Sequence, residues 1–196
     1  MAADAYKNFG ALIVHEIEGK DFSVLECPRS PTVAIIAPHG GKIECGTSTI
    51  ATAIAAEDYS LYIFEGLKAG TNRTLHITST NFDEPRCLKL IGSCDVVVAI
   101  HGLKGTEQRV DVGGKDRALR DSIANSLKNA DFTSAVVTSG NHAAISTMNI
   151  CNRGRSGAGV QLEITRALRN ALRSDATRLG KFAEAVRGAL KGHISN

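Results

Sequence analysis

Residues 33–48 read VAIIAPHGGKIECGTS, and this stretch decides the fold. It begins as a continuous apolar run, passes through three glycines and continues into apolar residues at helical spacing between Ser48 and Glu57. A continuous apolar run is typical of a strand buried on both faces, and a strand followed directly by a helix is typical of α/β sheets. Because open α/β sheets place their functional sites at strand ends, the glycine-rich turn is the first place to search for chemistry.

Similar short runs and helical patterns alternate along the rest of the chain. The predicted strands are Thr32–Ala37, Leu61–Phe64, Thr74–Thr78, Val96–Ile100, Ser134–Thr138 and Gly159–Ile164. The predicted helices are Ser48–Glu57, Asp116–Lys128, Thr165–Arg173 and Ala176–Lys191. This alternation predicts one α/β domain, residues 1–196, with a mixed, mostly parallel sheet and helices on both faces.

Composition excludes several classes of protein. Hydrophobic residues make up 43% of the 196 residues, enough for a packed core. The longest apolar runs are far shorter than the roughly 20 residues of a membrane helix, and the start MAADAYKNFG has no apolar signal core. We therefore expect no membrane partner and, by sequence, a cytoplasmic location. Five cysteines without a C-x-x-C pair favour neither a disulfide framework nor a zinc ribbon.

Positive charge is concentrated at the C-terminal end. The net charge is +3, yet nine Lys and Arg stand against three Asp and Glu from Cys151 onward. This segment would attract an anionic partner. A nucleic-acid-binding protein is the alternative from another functional class, but aromatics are only 5%, Trp is absent and no binding motif accompanies the charge, so the sequence disfavours nucleic acid.

Three residues at strand ends have the chemistry of a metal site. His39 and Glu44 lie on the first glycine-rich turn, and the run VVVAIHG, residues 96–102, ends with His101. Two imidazoles and one carboxylate are a ligand set of catalytic zinc, which keeps a further position open for water. We therefore expect His39, Glu44 and His101 to bind one Zn²⁺ ion.

The last predicted strand supplies a candidate catalytic base. In GVQLEI, residues 159–164, strand alternation places Glu163 on the same face as Gln161 among apolar neighbours, where an unpaired carboxylate is costly. Just before this strand, Arg153 and Arg155 are candidates for binding a substrate carboxylate. A solvated basic loop is the alternative interpretation of the two arginines.

Other interpretations use some of the same residues. A single strand-end histidine is more often a surface or core residue, and only the combination with Glu44 and Glu163 favours a metal site. A phosphate-binding P-loop at residues 41–48 is disfavoured because Thr47 occupies the position of the required lysine. A thiol nucleophile, Cys45 or Cys151 with His101 or His142, competes with the commoner fate of cysteine as a small buried residue. His15, His76, His142 and His193 are left out of the metal site.

Taken together, five segments resemble the successive motifs of the phage-type poly-gamma-glutamate hydrolases. These segments are residues 35–55 (IIAPHGGKIECGTSTIATAIA), 58–68 (DYSLYIFEGLK), 75–85 (LHITSTNFDEP), 96–102 (VVVAIHG) and 149–164 (NICNRGRSGAGVQLEI). The resemblance extends from about Asn8 to Leu172. It implies a small zinc hydrolase with a carboxypeptidase-like α/β fold that cleaves the γ-linked amide bonds of poly-gamma-glutamate.

Carried over by position, the resemblance implies His39, Glu44 and His101 as metal ligands and Glu163 as the catalytic acid/base. The expected partner is then an anionic polymer. A zinc amidase or carboxypeptidase acting on a small acyl-glutamate or peptide remains the alternative enzyme, because it would use the same site. If the gene belongs to a phage, as the resemblance implies, the enzyme would reach an extracellular polymer after host lysis.

Overall fold

The computed structural model describes residues 3–195, so Met1, Ala2 and Asn196 of the expected domain lie outside the described residues. A seven-stranded sheet organises the chain, with the strand order β1-β3-β2-β4-β7-β5-β6. The strands are β1 (Phe22–Cys27), β2 (Val33–Gly41), β3 (Ser60–Gly66), β4 (Val96–Leu103), β5 (Arg109–Gly113), β6 (Thr133–Val136) and β7 (Val160–Thr165).

Strand pairing confirms a mixed, mostly parallel sheet. β2, β3, β4 and β7 pair in parallel, as do β5 and β6, whereas β1 with β3 and β5 with β7 are antiparallel. The central strands are buried on both faces, which agrees with their continuous apolar sequences. Strands β2, β3, β4 and β7 therefore end on the same side of the sheet, at the edge where His39 and His101 lie.

Within residues 3–195, six α-helices cover the sheet: α1 (Phe9–Leu12), α2 (Thr47–Ala55), α3 (Pro85–Gly92), α4 (Arg117–Asn129), α5 (Arg166–Ser174) and α6 (Ala176–Ile194). Helix α4 begins where the Asp116 side chain accepts a hydrogen bond from the backbone N–H of Leu119. At the start of α6, the Asp175 side chain likewise accepts from the backbone N–H of Arg178. Such N-caps satisfy backbone donors that have no partner inside the helix.

The sheet separates two hydrophobic cores. Successive side chains along a strand point to opposite faces of the sheet and so contribute to different cores. On β2, for example, Ile35 belongs to the first core and Ile36 to the second. The first core includes residues of α2, α4, α5 and α6, and the second includes α1, α3 and the connections across the opposite face. This arrangement confirms the predicted α/β fold with helices on both faces.

The predicted strand Thr74–Thr78 is wrong. That segment contains a 3₁₀ turn, Arg73–Leu75, and extended backbone that joins no strand. Its alternating Leu75 and Ile77 are buried because the segment covers the second core, so their burial does not require a place in the sheet. Four short elements were not predicted: β1, β5, α1 and α3.

No helix within residues 3–195 combines the length and the apolar character needed to cross a membrane. The chain's longest helix, α6, instead packs one face against the first core.

Candidate functional site

His39 lies where the end of β2 departs from regular pairing. The register between β2 and β3 shifts between Ala37 and Gly40, and an irregularity of this kind redirects side chains. Gly40 leaves room for this turn, because a Cβ there would lie 2.5 Å from Ser48 Oγ. The backbone N–H of Glu44 donates to the carbonyl of His39 over 3.0 Å. The turn therefore brings the His39 and Glu44 side chains to the same edge of the sheet.

The structure brings together the three predicted metal ligands. One potential ligand atom from each of His39, Glu44 and His101 lies within 4.8 Å of the others. His39 Nδ1 lies 3.1 Å from His101 Nδ1 and 3.4 Å from Glu44 Oε2. Four ligands arranged tetrahedrally around zinc, at bonds of about 2.0–2.1 Å, lie about 3.3 Å from one another. The two separations from His39 Nδ1 therefore match those of such a site.

The second nitrogen of each imidazole is held by the segment before α3. His39 Nε2 bonds to the carbonyl of Ile77 over 2.8 Å, and His101 Nε2 lies 3.3 Å from Ser79 Oγ. Both rings are almost fully buried, with 1% and 2% exposure. Hydrogen bonds to the outer nitrogen fix ring orientation in metal sites, and here they direct both Nδ1 atoms toward Glu44.

Electrostatics favour a carboxylate at Glu44 and a neutral imidazole at His101. Burial opposes ionisation of Glu44, but His39 and the N–H of Gly102, which donates to Glu44 Oε2 over 2.7 Å, help to lower the Glu44 pKa to about 2. Burial and the nearby charge of His39 lower the pKa of His101 to about 3. Burial also disfavours a charged His39, yet Glu44 raises its pKa above the ordinary value. Carboxylate and neutral imidazole are the forms that bind metals.

Glu163 lies beside the ligand cluster on the neighbouring strand. Strand register pairs it with His101 across β4 and β7. Gln161 Nε2 donates to Glu163 Oε1 over 2.8 Å, which agrees with the predicted common face, and Asn149 Nδ2 donates to Gln161 Oε1 over 3.0 Å. Burial, followed by the charge of Glu44, raises the Glu163 pKa to about 8. A carboxyl group with this pKa can hold or release a proton near neutral pH.

His76, which the sequence interpretation set aside, belongs to the site. Its ring stacks on His39 with centroids 4.1 Å apart. One Asp4 carboxylate oxygen lies 2.7 Å from His76 Nδ1, and the other accepts from Thr78 N–H over 2.6 Å. Burial and the charge of His39 lower the His76 pKa to about 4. Asp4 and His76 are 72 residues apart, so no local sequence pattern signalled their contact.

His142 also reaches the site, from the loop between β6 and β7. Its Nδ1 lies 3.7 Å from Oδ2 of the buried Asp111, on a strand that the sequence did not predict. The backbone of this loop lies against β5, because a Cβ on Gly113 would be 2.3 Å from the carbonyl oxygen of His142. Glycine at that position therefore allows the loop to approach.

A cavity of about 820 Å³ lies beside the ligand cluster. Its lining includes the three candidate ligands and Glu163, together with His76 and His142. Two exposed cationic side chains, Arg73 and Lys104, also line it. A cavity of this size can accept several residues of an extended substrate.

The structure does not bring Arg153 and Arg155 to this cavity. Arg155 pairs with Asp95 through two hydrogen bonds of 2.9 and 2.8 Å, just before β4 begins. Arg153 donates to the carbonyl of Phe82 over 3.2 Å. Asp95 and His101 are six residues apart along an extended strand, a span of about 20 Å. Arg155 therefore lies near the opposite end of β4, and neither arginine lines the cavity.

The alternative thiol site also lacks structural support. Cys151 is fully buried, and burial raises the pKa of its thiol well above the ordinary value. A thiol in these surroundings does not form the reactive thiolate. Cys45 is exposed beside Glu44, but the cavity lining does not include it.

Comparison with known proteins identifies close relatives. Residues 6–187 match a family model described as poly-gamma-glutamate hydrolase. The UPF0714 protein YmaC of Bacillus subtilis (strain 168) is 42% identical over 174 residues, which are 88% of this chain and 73% of YmaC. The match confirms the resemblance that the five sequence motifs indicated.

Two solved structures superpose over nearly the whole chain. The structure of bacteriophage poly-gamma-glutamate hydrolase has a TM-score of 0.93 and 32% identity, and the match covers 98% of this chain and 99% of that one. Zinc-free YndL has a TM-score of 0.91 and 36% identity, with 96% and 98% coverage. A Nostoc punctiforme N-acetylmuramoyl-L-alanine amidase, AmiC2, matches with a TM-score of 0.53 and 13% identity over 86% of this chain and 99% of its own, a likeness of fold alone.

Proposed function

This chain belongs to the poly-gamma-glutamate hydrolase family, and on that premise we propose that it is a single-domain zinc hydrolase that cleaves γ-glutamyl amide bonds. Family membership makes the chain a hydrolase, as the sequence predicts. The observation that carries the proposal is the spacing of 3.1 and 3.4 Å between His39 Nδ1 and the facing atoms of His101 and Glu44.

The donor set fits zinc in its chemistry as well as its spacing. Two imidazole nitrogens and one carboxylate oxygen are ligands of catalytic zinc, and we propose that His39, Glu44 and His101 hold one ion. The description of the related YndL structure as zinc-free supports the choice of metal. When bound, zinc supplies Lewis-acid activation of water and of the scissile carbonyl.

Glu163 is the proposed general acid/base. It accepts the proton that the attacking water loses and then donates it to the departing amine, so that one carboxyl group serves both halves of the reaction. In the metal-free protein burial raises the Glu163 pKa to about 8, and a divalent cation bound beside it would lower that pKa and favour the carboxylate that accepts the proton. Gln161, whose amide donates to Glu163 Oε1, holds the carboxyl group in place while the other oxygen stays available for the substrate.

Substrate carboxylates require cations at the cavity wall. Each γ-linked glutamate unit carries one free α-carboxylate, and Arg73 and Lys104 present positive charge to the space above the ligand cluster. We assign substrate binding to these two residues rather than to Arg153 and Arg155, because neither of the latter lines the cavity.

The test is depolymerisation of poly-gamma-glutamate, followed by size-exclusion chromatography. The zinc-loaded protein should shorten the γ-linked polymer, the chelated protein should not, and added zinc should restore activity. α-Linked polyglutamate serves as the matched substrate control, and a short γ-linked oligomer distinguishes a polymer hydrolase from an enzyme of small acyl-glutamates. Full activity after complete removal of metal would contradict the proposal.

A further inference from the structure

One buried arginine on the helix after β7 contacts three segments that carry proposed ligand or catalytic residues, those of Glu44, His101 and Glu163. Arg169 lies on α5 and is 6% exposed. Its Nε donates to the carbonyl of Ile164 over 3.0 Å, one terminal nitrogen donates to the carbonyl of Cys45, and the other lies 3.4 Å from the carbonyl of Leu103. A planar guanidinium with five donors suits such a divergent set of acceptors, whereas an ammonium group does not.

The three carbonyls belong to three different parts of the site. Cys45 follows Glu44 directly, and Ile164 follows Glu163. Leu103 comes two residues after His101, at the end of β4. One side chain thus ties together the backbones that place two proposed ligands and the proposed acid/base.

Two glycines make room for this contact. A Cβ on Gly102 would lie 2.7 Å from Arg169 Cζ and 2.8 Å from Glu44 Cβ, so the guanidinium and Glu44 both pack against the Gly102 backbone. A Cβ on Gly46 would lie 3.2 Å from Arg169 Cβ. The Gly102 N–H also donates to Glu44 Oε2 over 2.7 Å. Arg169 therefore packs against the same peptide that orients a proposed ligand.

We propose that Arg169 is a positioning residue, which sets the separation of Glu44, His101 and Glu163 without touching substrate. It does not appear in the lining of the cavity. The inference rests on the proposed function, because it concerns the geometry of the same metal site. Residues that orient metal ligands typically change metal affinity or activity by about 10–100-fold when they are replaced.

A second buried arginine provides a matched control. Arg187 on α6 is also 6% exposed and donates to the carbonyls of Ile54 and Ala55 over 2.9 and 3.3 Å. It pairs with Asp58, and none of these contacts includes a residue of the site. Replacement of Arg187 therefore measures the cost of losing a buried guanidinium without any effect on the proposed ligands.

The experiment compares full-length Arg169→Lys and Arg187→Lys by zinc competition with a chromophoric chelator, thermal unfolding and steady-state kinetics. We expect both variants to lose stability, but only Arg169→Lys to lose zinc affinity, by about 10–100-fold. Its kcat should fall while KM changes little, because Arg169 does not line the cavity. Arg169→Ala should recover zinc affinity when guanidinium is added at concentrations too low to unfold the protein, whereas Arg187→Ala should not respond.

The outcomes separate the inference from the proposed function. If wild type binds zinc and hydrolyses the polymer while the two lysine variants bind zinc equally well, Arg169 is only a structural residue and the inference is overturned. If wild type binds no zinc, the proposed function fails and the inference fails with it. If Arg169→Ala does not fold, the comparison of the lysine variants decides the question.

Discussion

Replacement of Glu163 by glutamine separates proton transfer from metal binding. The amide has almost the same shape as the carboxyl group, and its oxygen can still accept the hydrogen bond from Gln161 Nε2. It cannot accept a proton. General acid/base groups contribute about 10²–10⁴-fold to rate. The expected loss in kcat corresponds to about 3–5 kcal/mol of transition-state stabilisation.

Although the substitution should lower kcat, it should raise the stability of the metal-free protein as pH rises. The Glu163 pKa rises from the ordinary 4.5 to about 8, because burial and Glu44 disfavour the carboxylate. The unfolded chain therefore releases this proton at lower pH, and the native state loses stability as pH rises from 4.5 toward 8. Between pH 5 and pH 8 the loss should be at most about 4 kcal/mol. Glu163→Gln should abolish this contribution.

The assay combines kcat on the polymer, zinc content and urea unfolding of the chelated protein at pH 5 and pH 8. Glu84→Gln is the matched control, because Glu84 is a buried carboxylate that accepts from the N–H of Cys87 and does not line the cavity. That variant should lose stability and keep its turnover. Retention of wild-type kcat by Glu163→Gln would refute the role of Glu163, and loss of zinc would show that the residue supports the metal site instead.

Three further predictions concern the proposed substrate-binding cations, the effect of ionic strength and the contacts of Asp4. The double variant Arg73→Gln/Lys104→Gln should raise KM for the polymer far more than Arg155→Gln does, as measured by initial-rate kinetics. Equal effects of the two variants on KM would contradict the assigned carboxylate site. Higher ionic strength should raise KM in wild type, and a salt-independent KM would exclude electrostatic attraction of the polymer. Asp4→Asn should lower the free energy of unfolding by about 1–3 kcal/mol, because an amide offers only one acceptor to His76 and Thr78, and unchanged urea unfolding would contradict this.

Local sequence patterns were sufficient to place the main candidates. His39 and His101 each end an apolar strand, and parallel neighbours in an α/β sheet end at the same edge, so their proximity follows from the fold class. Strand alternation likewise placed Glu163 and Gln161 on a common face. Such inferences depend on periodicity and on the direction of the chain, which a single sequence shows well.

Long-range contacts could not be predicted in this way. His76 enters the site because Asp4 fixes its ring, and the two residues are 72 positions apart. Asp111 lies on β5, a five-residue strand whose sequence, RVDVG, is too short for a clear pattern. Arg169 acts across three segments, and nothing in the helical pattern of α5 distinguishes it from the neighbouring arginines.

The position of Arg153 and Arg155 followed from topology. Residues that immediately precede a parallel strand lie at its amino end, whereas the site occupies the carboxyl ends. Both arginines precede β7, which is parallel to β4, and Arg155 accordingly pairs with Asp95 just before β4. Arg169 follows β7 and lies at the opposite edge, beside the site. The order of residues relative to the strand was therefore the signal that the sequence interpretation overlooked.

An anomalous difference map at the zinc absorption edge tests the central claim most directly. Crystals of the zinc-loaded protein should show one peak within bonding distance, about 2.0–2.2 Å, of His39 Nδ1, His101 Nδ1 and a carboxylate oxygen of Glu44. The His39→Ala variant should lose that peak. A zinc peak elsewhere, with the three side chains unliganded in an active crystal form, would contradict the account.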